Sequence, residues 1–208
     1  MAAIGYTGKR CEKTAVLRRH CVGGRPTCLC PANGVRATGL DEAVQEFAAT
    51  CLMHVFSHTN LHAKFDHSAI ALPYSASQAR PFLNGATGSV WGLRGRASNY
   101  AIVLTDNGIC SLDAQSHVPG VWNDFDALLR ILFPAAELVP VNQELAGPTT
   151  DQVQSKGYRL QVDGRLLPPV FTAVKSSDPR VNFADRLTIF VPSGSVPPSI
   201  APGPSSSE

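Results

Sequence analysis

Asn107-Gly108 splits a run of alternating residues, Asn99–Ala114, into two strands, and nothing else in the chain constrains the fold as much. A type I′ turn needs positive φ at both central residues, and Asn-Gly is the pair that adopts them most readily. With those two residues as the loop, Asp106 faces Ile109, Thr105 faces Cys110 and Val103 faces Leu112. Alternation then predicts Ala101, Val103, Thr105, Cys110, Leu112 and Ala114 on one face, turning Cys110 towards a core.

The partner for that core is a helix over Asp41–Ser57. Val44, Phe47, Ala48, Cys51, Leu52 and Val55 form one stripe at helical period, with Asp41 and Glu42 suiting the positive end of the helix dipole. A second stripe (Val121, Trp122, Phe125, Leu128, Leu129, Leu132) predicts a helix over Val121–Phe133, stopped by Pro134. Ser75–Leu83 reads as a short helix interrupted at Pro81, Ser89–Leu93 and Glu137–Val141 as strands, and Gln143–Ser155 as a polar loop. Tyr158, Leu160 and Val162 alternate up to Asp163-Gly164, a second two-residue hairpin signal. Pro168-Pro169 interrupts the returning strand, so that strand is an edge or carries a bulge, with Val170–Val174 resuming it. Leu187, Ile189 and Val191 alternate in a last strand.

The expectation is therefore a single α+β domain over 41–191, an antiparallel sheet with two main helices packed on one face. A basic arm over 1–40 and a Pro/Ser-rich tail over 192–208 lack periodicity and are read as disordered. The arm holds Lys9, Arg10, Lys13, Arg18, Arg19, Arg25 and Arg36 against Glu12. Of the chain's 18 basic and 16 acidic residues, this leaves 11 and 15 for the rest, so the folded part gives no support for nucleic-acid binding. No run of about 18 apolar residues predicts a membrane-spanning helix. A secretory signal needs an apolar stretch after its basic residues, and residues 1–40 offer none. An altered start or reading frame is one expectation for this arm, tested by the intact mass of the native protein.

Candidate chemistry is sparse. Cys11, Cys21, Cys28 and Cys30, with His20, are of the right types for zinc, but the usual two-residue spacing within ligand pairs is missing. His54, His58 and His62 recur every four residues and would align three imidazoles on a continuous helix, a pattern that suits zinc, copper or nickel. The competing role is structural: a histidine in the last helical turn interacts with terminal carbonyls. Gly-x-Ser-x-Gly, His-Glu-x-x-His, P-loop and Gly-x-Gly-x-x-Gly motifs are absent. Asp41, Glu42, Asp106, Asp113, Asp124 and Asp126 read as caps, turns and solvated positions. No catalytic residue and no cofactor are expected. Cys51 and Cys110 fall on core faces, where a disulfide is the more economical pairing; two free buried thiols stay open on spacing alone.

Phe47-Ala-Ala-Thr-Cys51-Leu, Ala79-Arg-Pro-Phe82-Leu83, Gly88-Ser-Val-Trp91 and Tyr100-Ala-Ile-Val-Leu-Thr-Asp-Asn-Gly108-Ile-Cys110 together resemble a family of small proteobacterial envelope proteins and lipoproteins of unknown function. The resemblance spans about residues 41–191. It implies a periplasmic or envelope location and an oxidised Cys51–Cys110 pair, and brings no catalytic residues; the missing signal core leaves a cytoplasmic location open. The leading expectation is a non-catalytic protein that binds another protein, with Gln143–Ser155 and Ser176–Asp185 as presenting loops. The alternatives are a metal-binding protein using His54, His58 and His62 or the Cys arm, and a cytoplasmic regulator acting through its basic arm.

Overall fold

The computed structural model describes residues 40–192 apart from 58 and 148; nearly all of the expected arm and of the expected tail lies outside the described residues. The first helix starts where a carboxylate meets an orphan donor. Asp41 Oδ1 accepts the Ala43 N–H at 2.9 Å, an N-cap rather than a first-turn residue. α1 (Glu42–Phe47) runs through a π-helical turn (Ala48–Leu52) into α2 (Met53–Ser57). Met53 N–H reaches back to Ala48 O, five residues away, and Lys64 Nζ donates to Ala49 O in the same turn at 2.8 Å. Val44, Phe47, Cys51, Leu52 and Val55 are all buried, so the stripe survives the π turn.

A further short helix, α3 (Leu61–Phe65), is capped by Asn60 Oδ1, which accepts the Ala63 N–H, and buries Leu61 and Phe65. Neither α3 nor the first strand, β1 (Ala71–Pro73), is foreseen by periodicity, since each is too short to carry any. α4 (Ala76–Leu83) opens on a Ser75/Gln78 capping box and continues through Pro81, so the expected interruption there is wrong. β2 (Gly88–Arg94), β3 (Asn99–Thr105) and β4 (Ile109–Ala114) lead to α5 (Val121–Leu132). Then come β5 (Glu137–Pro140), α6 (Gln143–Ala146), β6 (Val153–Val162), β7 (Arg165–Ser176) and β8 (Asp185–Phe190). The stretch expected as a polar loop, Gln143–Ser155, thus holds a helical turn and the start of a strand. All strands among the described residues join one antiparallel sheet in the order β1-β2-β3-β4-β8-β7-β6-β5.

The opening hairpin folds one residue out of its expected register. Leu104 pairs with Cys110, Val103 with Ser111 and Ile102 with Leu112. Gly108, at φ +88°, is the only turn residue with positive φ, and its N–H bonds Thr105 O. This is a type I turn closed by a left-handed glycine, one residue longer than a two-residue loop. The Thr105 side chain holds it: its Oγ1 contacts the Asn107 side chain and accepts the Ile109 N–H at 3.1 Å. A slip of one residue inverts a whole strand. Tyr100 and Ile102 therefore join Cys110, Leu112 and Ala114 in the main core, while Ala101 and Val103 form a second cluster with Val90 and Ala79 of α4.

The second hairpin follows its signal, with Asp163 at φ 50° and Gly164 at φ 76° as a two-residue turn. Pro168 and Pro169 sit in a bulge opposite Arg159–Gln161, in a strand flanked by β6 and β8 and so not an edge. The main hydrophobic cluster draws Val44, Phe47 and Cys51 from the first helix and Phe125, Leu128 and Leu129 from α5. From the sheet it takes Ile102, Leu112, Phe171, Leu187 and Ile189, among others.

Candidate functional site

Cys51, in the π turn, and Cys110, the second residue of β4, form a disulfide with Cα atoms 5.4 Å apart. Both residues are buried in the main core, so neither presents a thiolate. The bond ties the helix to the central strand at the point where the corrected register also places Leu104 and Ile189.

A cleft of about 400 Å³ adjoins this bond, lined by Cys110, Val55, Leu104, Gly108, Val191, Thr59, Asn60, His54 and His62. His54 Nδ1 lies 2.7 Å from Thr59 O. A carbonyl oxygen only accepts, so Nδ1 carries the hydrogen and the neutral ring keeps its lone pair on Nε2. His62 Nδ1 lies 3.2 Å from Asp66 Oδ2, and the other oxygen of Asp66 accepts the Trp91 indole N–H at 2.9 Å. The Trp91 hydrogen bond, and after it the one from His62, holds the Asp66 carboxyl below the usual carboxylate range. A carboxylate only accepts, so His62 Nδ1 donates to it, and in the neutral ring the lone pair is on Nε2. The His62 ring meets Trp91 edge-on, with centroids 4.9 Å apart. Asp66 and Trp91 also line a second cleft of about 570 Å³, with Tyr74, Arg80 and the stretch 85–89 leading into β2 among its other walls.

Of the histidines singled out in the sequence, His54 and His62 thus meet at one cleft, although a break in the helix separates them, while His58 lies outside the described residues. The arm cysteines lie outside them as well. Among the described residues, no group of three or more His, Cys, Asp or Glu side chains is placed to hold a metal ion. Trp91 stands out in the sequence, but its contact with Asp66 does not, because it joins residues 25 apart and leaves no local pattern.

Two acidic residues prove less solvated than expected. Asp113 is buried and takes two guanidinium N–H bonds from Arg186, whose guanidinium lies over the Phe183 ring. Asp126 pairs with Lys156 Nζ at 2.8 Å, and that ammonium also lies over the Trp122 ring. Asp124 Oδ2 accepts the Asp41 N–H at 2.7 Å, linking the start of α1 to α5.

The two loops singled out for presentation meet in space. Ser177 N–H donates to Gln152 O at 2.8 Å, and its hydroxyl reaches the same oxygen at 3.3 Å. Beyond it, Arg180 clasps Asp178 at 2.7 Å while remaining 83% exposed, and this contact holds the Asp178 carboxyl at a pKa of about 2. Ser176 N–H to Ala184 O closes the base of the second loop.

No protein-family model, curated protein or solved structure matches this chain.

Proposed function

We propose that the protein is a non-catalytic, envelope-associated binding protein, in which a sheet with two main helices packed on one face carries loops that recognise another protein. The observation that carries this reading is the junction of the polar loops at Gln152 and Ser177, which merges residues 149–152 and 177–184 into one surface on strand ends. Loops braced on a rigid sheet are the usual place for recognition. The buried Cys51–Cys110 disulfide supports an oxidising compartment, where such bonds persist, as does the resemblance to small proteobacterial envelope proteins. A cytoplasmic regulator would act through the basic arm, which lies outside the described residues.

The test is cross-linking in native cells followed by purification of the full chain, with wild type, Arg180→Glu and His62→Ala compared. Arg180→Glu places two carboxylates side by side at the loop tip. A partner protein recovered with wild type and His62→Ala but lost with Arg180→Glu supports the surface. The same proteins recovered with all three chains, or none with any, overturns it.

A further inference from the structure

The geometry points to a copper(II) or zinc(II) site in the cleft beside the disulfide, with His54 Nε2 and His62 Nε2 as its protein ligands and water in the remaining positions. Two imidazoles line this one cleft, and each has its Nδ1 committed elsewhere, to Thr59 O and to the Asp66 carboxylate. A histidine bound to a metal through one nitrogen characteristically donates the other N–H to a carbonyl or carboxylate, which fixes its tautomer and raises its basicity. Both histidines already make that contact here. Trp91 in turn fixes Asp66, so the His62 partner is itself held.

The helix-end role of His54 and the intrahelical role of His62 use only Nδ1 and leave Nε2 free for a ligand. The other walls add Val55, Leu104 and Val191 with Thr59 and Asn60, whose carbonyl and side-chain oxygens are already held by His54 Nδ1 and the Ala63 N–H, and no carboxylate is among the lining residues. This donor set selects against calcium and magnesium, which take oxygen ligands, and in favour of late first-row cations, copper(II) above zinc(II). The inference is independent of the loop surface proposed above.

The test uses the full chain with Cys11, Cys21, Cys28 and Cys30 alkylated, so that arm thiolates bind nothing. Trp122→Phe leaves Trp91 as the only indole, beside His62. Titration with copper(II) chloride should quench Trp91 fluorescence saturably with one equivalent. His54→Ala and His62→Ala should each weaken that binding at least tenfold, and His67→Ala should leave it unchanged, with near-ultraviolet circular dichroism checking that each variant is folded. Absence of saturable quenching, or equal affinity in folded His54→Ala and His62→Ala, overturns the site.

Discussion

Replacing both Cys51 and Cys110 with alanine isolates the contribution of the disulfide to stability. The bond joins residues 59 apart, and the chain-entropy treatment assigns closure of a loop that long about 4 kcal/mol at 25 °C. Typical measured values for a disulfide run to roughly 2–4 kcal/mol, so a loss of about 3–4 kcal/mol is expected. Small domains are stable by only about 5–15 kcal/mol, and such a loss is a large share of that margin. Both cysteines are buried, so a serine pair should cost more than an alanine pair, by roughly 1–3 kcal/mol for each hydroxyl left without a partner. The assay is equilibrium unfolding in urea without reductant, comparing the wild-type chain with both double variants. The slope m should rise in the variants, because an uncross-linked denatured chain exposes more surface. A loss below about 1 kcal/mol, with m unchanged, would refute the view that this bond fastens helix to sheet.

Gly108→Ala tests the corrected hairpin. Its φ of +88° lies in the left-handed region, and a Cβ there would come 2.6 Å from Val191 O, so a loss of about 1–3 kcal/mol in urea unfolding is expected. The same substitution would be nearly silent if the turn could relax away from β8. Glu42→Gln tests the clasp at the start of α1, where one carboxylate accepts the Arg96 and Ala97 N–H groups and the Tyr100 hydroxyl. The Ala97 amide leads the groups that hold the Glu42 carboxyl below its ordinary value of 4.5. Its stabilisation is therefore complete above that value and is lost as pH falls through the lower, folded-state value. Unfolding measured from neutral to acid pH should show wild type losing more stability below pH 4.5 than Glu42→Gln; parallel curves would reject the clasp.

What could be read from the sequence follows the range of the forces involved. The stripe from Val44 to Val55 is written at helical period and survives as buried side chains, even though a π turn passes through it. The hairpin at Asp163-Gly164 is also local, since both residues take the positive φ that the turn demands. Asn107-Gly108 carries the same signal but folds otherwise, because Thr105 supplies side-chain bonds to Asn107 and to the Ile109 N–H that favour the longer turn. Propensity ranks turns by their central residues and does not see that bracing. The candidate site divides likewise. His54 and His62 stand out by spacing, yet they meet through a cap at Asn60 and a helix restart, not along one continuous helix. Asp66 and Trp91 meet only because β2 runs past the end of α3, and Ser177 finds Gln152 only because β6 and β7 pair. Contacts made by topology have no period to read.

Whether the Cys51–Cys110 bond fastens the scaffold in the cell is read by mapping thiols in protein isolated from its native cells. Free thiols are alkylated before lysis, and the chain is digested without reductant. A linked peptide pair containing Cys51 and Cys110, separable only on reduction, is expected. Recovery of both cysteines as alkylated, unlinked peptides would contradict it.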